Sequence, residues 1–360
     1  RRILLLTGCF ARAAAERHSI SRLWKQSSGL IARSVTQNAG DHGEHYITRD
    51  KKEYWAMFYS AAGGGVLIAL MALFKTYLGS IIDDKVWKGL AEGLNYGFGF
   101  MVIFMLHFTV ATKQPAMTAA RFAEAVEKNP QGKTLNMKLA QLLVDVFRSQ
   151  SVAVLGNVVV AMGLAALIAF VYQHQTGEPL MNSEKIAYQL HRIDPLDGSL
   201  WFAAIAGVWL FCSGIISGYF DNRSNYLNMR MRLAQHPLLK KLMSEKSRVK
   251  FANYMHENYG SLIGNFCFGM LLGLTGLVGY LTHLPLDIRH VAFSSANLGY
   301  SAVSGQFAYP FFLQCIAFVL LIGLVNLMVS FSLTLWVALR SLNTEIDSWW
   351  AIWHEVCQIV

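Results

Sequence analysis

Two stretches of about twenty residues without a single charge, Val152–Tyr172 and Leu200–Phe220, most restrict what this chain can be. A bilayer core is about 30 Å thick and a helix rises 1.5 Å per residue, so each stretch is long enough to cross it. Lipid offers the backbone no hydrogen-bond partners, and neither stretch shows the alternation of a barrel strand. Helix is therefore the reading for both. Composition agrees, with 54% hydrophobic and only 15% charged residues, which places the chain with integral membrane proteins.

The same criterion finds four further spans. The first is Ala56–Leu78, with Gly63-Gly64-Gly65 near its start and Lys75 placed to snorkel near its end. The second is about Gly89–Thr112, the fifth about Ser261–Leu281, and the sixth about Phe312–Leu339. The predicted fold is thus all-α and polytopic, with six transmembrane helices and helical cytoplasmic segments. Residues 1–54 form a basic, mixed helical segment, and the opening Arg-Arg suggests that a longer N-terminal region precedes it. Residues 342–360 form a tail.

Charge predicts orientation. The segment Lys113–Gln150 holds six Lys/Arg against three acids, and Asp221–Gly260 holds eight against three. The intervening loops carry only Lys85 and Lys88, then Lys185 and Arg192, then Arg289. The positive-inside rule puts both termini and both basic segments in the cytoplasm, for a bacterial inner-membrane protein.

An internal similarity is also expected. Gly156-Asn157 opens the third span and Gly264-Asn265 the fifth, about 108 positions later, and Asn129-Pro130 precedes one as His236-Pro237 precedes the other. This suggests three parallel hairpins over 55–113, 114–222 and 223–341, with Gly63–Gly65 marking the most divergent copy. Inverted repeats would not give that parity.

Candidate polar residues fall in two groups. His107, Asn157, Asn265 and Asn326 lie in or near spans, where they either hydrogen-bond across the bundle or line a path for solvent or ligand. Asp287, Arg289 and His290 crowd an outer loop with Ser294, as a loop-closing ion pair or as a ligand or proton site. The five cysteines show no CxxC or Cys/His ligand spacing, so neither a metal nor another cofactor is expected. Arg230, Arg232, Lys240, Lys241, Lys246, Arg248 and Lys250 suit anionic lipid headgroups, with nucleic acid as the rival partner.

Four long motifs carry a family resemblance: GEHYITRDKKEYWAMFYSAAGGG (Gly43–Gly65), HFTVATKQPAMTAA (His107–Ala120), LPLDIRHVAFSS (Leu284–Ser295) and LVNLMVSFSLTLWVALRS (Leu324–Ser341). Over about Ser28–Asn343 the chain resembles the bacterial membrane family catalogued as site-specific recombinase, with gonococcal-type members. That resemblance implies DNA strand exchange. Such chemistry calls for a Tyr or Ser nucleophile among cations around a phosphate, and no such constellation is visible in the residues. They favour a transport, channel-like or membrane-organising role without covalent chemistry. Recombination or DNA association is the alternative, and a lipid-acting enzyme using Asp287, Arg289 and His290 is a third.

Overall fold

The computed structural model describes residues 50–110, 133–342 and 348–359. The N-terminal segment up to residue 49 and the Asn129-Pro130 break lie outside them. All regular structure among the described residues is helical. In chain order the helices are α1 (Lys51–Ile81), α2 (Lys85–Met105), α3 (Lys133–Thr176), α4 (Ser183–Ile193), α5 (Ser199–Tyr226), α6 (Met229–Gln235), α7 (Pro237–Leu242), α8 (Glu245–Thr282), α9 (Val291–Ser304), α10 (Tyr309–Leu342) and α11 (Trp349–Ile359).

Five of these, α1, α3, α5, α8 and α10, are long and apolar enough to cross a membrane. In α10 only 28% of the apolar window is buried, and Leu313, Leu320, Leu324, Met328 and Trp336 point outward. A belt of this kind is apolar on the outside as well as the inside, which is compatible with a multi-pass membrane protein. The helix α2 is not among the five. It carries Lys85, Lys88, Glu92 and Asn95, and it stops at Met105, short of the expected Thr112.

Glycines fix how the helices approach. On α2, Gly89, Gly93 and Gly97 recur every four residues and face α8, where Gly269 abuts the backbone of Tyr96 and Gly97, and Gly273 abuts Gly93. The matched positions run in opposite senses, so α2 and α8 are antiparallel. Gly156 of α3 meets Ala61 and Phe58 of α1, while Gly65 meets Asn157 and Ala161, so α1 and α3 run parallel. Gly207 of α5 meets Asn326 and Val329 of α10, and these two are also parallel. Small residues let helices close to backbone contact, where dispersion and weak hydrogen bonds replace the missing hydrophobic drive.

The largest departure from the sequence reading lies between α8 and α10. That stretch was expected to be an outer loop, but it turns back into the bundle. His283, in the left-handed region at φ 55°, ends α8. The chain then runs irregularly back along α8, with Leu286 against Gly279 and His290 beside Phe268. There α9 starts, halfway along α2 and α10, with Phe293 stacked on Tyr96 at 4.2 Å and Val291 against Gly323. It climbs until Ser304 meets Met181, and Gln306, at φ 49°, helps turn the chain into α10. Ten of the fourteen residues of α9 are buried, and its last turn is half-buried.

The tight α2–α8 contact gives a direct test. Gly273→Val places a side chain against the backbone of Gly93, and overpacking of this kind costs about 3 kcal/mol. Gly163, on the open face of α3, has nothing within 4 Å of an added Cβ. Thermal unfolding in detergent should show a clear fall in midpoint for Gly273→Val and none for Gly163→Val.

Candidate functional site

A break in a helix buried among apolar helices must have its backbone groups satisfied by protein. Asn326 does this where α9 begins. Its amide nitrogen donates to the carbonyls of Ala203 (2.8 Å) and Arg289 (2.9 Å), and its oxygen accepts the Val291 N–H (3.1 Å). The Arg289 N–H donates to the Phe202 carbonyl at 3.2 Å. Asn157 plays a similar part at the other break, after α2: its amide donates to the carbonyls of Ala61 and Thr109. Ser60 supports the same crossing through the His107 carbonyl (3.0 Å) and the Thr109 hydroxyl (2.9 Å).

The remaining candidates are used differently. Asn265 donates to Ser261 four residues back in its own helix, and Gly264 packs on Ser213 and Ser217 of α5. So the two Gly-Asn marks both close a helix contact, but only Asn157 bridges elements with its side chain. His107 sits exposed in a left-handed turn at φ 58°, two residues before the Thr109 carbonyl that Asn157 holds.

Asp287 and Arg289 do come together, while His290 packs among Phe100, Phe268 and Phe293, and the ion pair recruits a residue not included among the site candidates. Arg192, from the end of α4, lies 3.3 Å from Asp287, which also holds Arg289 at 2.6 Å. Arg192 donates to the Ile288 carbonyl (3.1 Å), and Arg289 donates to the Arg192 carbonyl (2.6 Å) and lies over the Phe202 ring. The carboxylate is thus clamped between two guanidiniums. Burial alone would raise the Asp287 carboxyl, but Arg192 and then Arg289 outweigh it and hold it below the usual carboxylate range. Burial likewise opposes the charge of Arg192, and Asp287 followed by Tyr188 more than restores it.

This cluster forms part of the wall of a cavity of about 520 Å³. Its other walls come from the end of α1, the start of α2, the end of α8 and one face of α4. That α4 face consists of Lys185, Tyr188, Gln189 and Arg192, spaced i, i+3, i+4, i+7. Lys75 reaches in from α1, paired with Glu92 at 3.0 Å and 5.4 Å from the Tyr96 ring centre. Arg289, His290 and Ser294 line a smaller space of about 20 Å³ next to it, with Lys75, Gln189 and Asn297 common to both. Beyond that, Tyr96, Phe100, Phe268, Phe293 and His290 pack ring against ring and close the bundle. Among the described residues no group of three or more His, Cys, Asp or Glu is placed to hold a metal ion.

A family model described as site-specific recombinase matches residues 1–360. The chain belongs to the site-specific recombinase family. Comparison with curated proteins and with solved structures gave no match. Within this family member, the LPLDIRHVAFSS motif is the re-entrant turn with the start of α9, and LVNLMVSFS holds the asparagine that clamps it.

Asp287→Asn removes the anion between two buried guanidiniums and should destabilise the fold by about 3 kcal/mol. Because the folded-state carboxyl is depressed, its stabilisation is full above the unfolded value of about 4 and is lost as pH falls through the folded one. Unfolding midpoints from pH 7 down to pH 3 should therefore fall more steeply for the wild type than for Asp287→Asn.

Proposed function

We propose that the chain is a six-span bacterial inner-membrane protein of the transport type, with its cavity open to the side opposite the cytoplasm. The observation that carries this reading is the re-entrant turn. It places broken backbone and a buried charge cluster at the floor of a polar cavity, halfway along the bundle. Discontinuous helices that meet at mid-membrane let a protein offer backbone and charge to a solute and rearrange around it. The aromatic cluster beneath the floor would then be the closed gate of a one-side-open state.

Several facts support the topology. Helix α2 has 21 residues, about 31 Å at 1.5 Å each, enough to be the sixth span despite its charges. Helices α1, α3 and α8 share one direction and α2, α5 and α10 the other, as three parallel hairpins require. The basic residues Arg230, Arg232, Lys240, Lys241, Lys246 and Lys250 are exposed near the start of α8, and the cavity lies near its end. On the cytoplasmic side each could gain about 1 kcal/mol beside anionic headgroups. Arg248 instead donates to the Ala234 carbonyl at 2.7 Å and ties α8 to α6.

The family description carries a second reading, strand exchange on DNA. Its best support in the fold is the Tyr188 hydroxyl, which accepts from Arg192 at 2.7 Å, with Arg289 near enough to feel its charge. In the six-span topology that group faces away from the chromosome. Salt-sensitive DNA binding by the purified protein would favour this reading over transport.

Thiol labelling in a background without native cysteines tests the transport reading. A membrane-impermeant maleimide should reach Lys185→Cys only from outside intact cells and Lys240→Cys only from the cytoplasmic side of inverted vesicles. Asn297→Cys, on the cavity floor, should react from both sides if access alternates. Labelling of Asn297→Cys from one side under all conditions would contradict transport.

A further inference from the structure

We propose that the cavity is a binding site for phosphate-bearing anions. Lys75, Lys85, Lys88, Lys185 and Arg192 line it against two acids, Glu92 and Asp287, leaving three positive charges in excess. Both acids are already engaged, Glu92 by Lys75 and Asp287 by the two arginines. Among the described residues Lys88 and Lys185 have no carboxylate within 4.0 Å, and Lys85 lies over the Tyr280 ring at 4.1 Å. The nearby Asp84 is turned away, capping α2 through the N–H groups of Val86 and Trp87.

The placement of these cations is built into the backbone. Lys88 extends its ammonium over Gly79, where an added Cβ would come within 3.1 Å of the nitrogen. Lys185 hangs from α4 on the same face as Arg192 and lines the cavity with Lys88. Two lysines without a carboxylate in one cleft repel until an anion with more than one charge enters. A phosphomonoester brings nearly two negative charges at neutral pH and three acceptor oxygens, which suits lysine as a point-charge donor.

Size narrows the class. About 520 Å³ falls in the range of small-molecule sites, about 300–1,000 Å³, and far exceeds a bare phosphate. Met181, Leu272, Leu277 and Tyr280 supply an apolar wall for an organic body beside the charges. The same chemistry fits a soluble phosphate ester or the headgroup of an anionic lipid. The proposal rests on the transport reading for its use in the cell, but binding is measured without flux, so the two can fail separately.

The test uses the full chain purified in detergent, with inorganic pyrophosphate as the soluble probe and calorimetry as the readout. The lipid arm compares thermal unfolding in nanodiscs of phosphatidylglycerol and of phosphatidylcholine. Pyrophosphate should bind wild type, and Lys88→Gln/Lys185→Gln should weaken it by about tenfold or more. Lys88→Arg/Lys185→Arg should restore binding, and Arg230→Gln/Arg232→Gln at the far end should leave it unchanged. Stabilisation by phosphatidylglycerol alone, lost in the same Gln variant, assigns the phosphate to a lipid headgroup and also supports the proposal. Binding that ignores Lys88 and Lys185 in both arms overturns it, as does equally tight binding of citrate, a trianion without phosphate.

Discussion

A buried peptide group needs a hydrogen-bond partner, and the way this chain meets that need among its apolar helices organises the rest of the molecule. At two breaks among the described residues, an asparagine from a neighbouring helix takes up the loose ends. Asn326 holds three backbone groups, from α5, from the re-entrant turn and from the first residue of α9. Asn157 holds α1 and the turn after α2 in the same manner. Interhelical bonds of this sort are worth about 0.6–2 kcal/mol each in a bilayer, and their geometric effect is larger. They let a buried helix of fourteen residues start halfway through the bundle.

From that start the remaining features follow by proximity. Bringing Asp287 and Arg289 inward requires partners in a poorly solvated place, and Arg192 from α4 completes the cluster. Bringing α4 over the opening adds Lys185 to a rim that already holds Lys85 and Lys88. Glycines at the α2–α8 contact keep those helices at backbone distance, and Leu272, Leu277 and Tyr280 of α8 give the cavity an apolar flank beside the charges. The positive excess is therefore a product of topology, assembled from helices far apart in sequence.

Much of this was legible in the residues. Apolar runs located the five long apolar helices. Helix α5 starts beside the expected Leu200 and α8 ends beside the expected Leu281. Yet α8 begins at Glu245, well before the expected Ser261, because the charged stretch ahead of the span continues the same helix. Asn157 and Asn326 stand out because polar groups in apolar surroundings need partners, and Asp287, Arg289 and His290 because they crowd one loop. Helix α9 was missed because fourteen residues cannot span a bilayer and because Ser294, Ser295, Ser301 and Ser304 resemble a loop. Lys85, Lys88, Lys185 and Arg192 were counted only as sparse charges of base-poor loops. Nothing local in the sequence says that these loops converge. The Gly89, Gly93, Gly97 spacing was a readable signal for close packing that span-finding by hydropathy passes over.

Membership of the site-specific recombinase family attaches a DNA-directed description to a chain whose most developed site is a polar cavity among apolar helices. The account depends on the re-entrant turn above all. Val291 lies against Gly323, with 3.2 Å between its Cβ and one placed on the glycine, near the separation of about 3.8 Å in a disulfide. Val291→Cys and Gly323→Cys, introduced together into a chain lacking its native cysteines, should form a disulfide on oxidation, found by mass spectrometry as a linked peptide. A cysteine at 291 that fails to pair with 323 but pairs with one at Tyr309 or Pro310, at the start of α10, would place this segment at the surface and contradict the account.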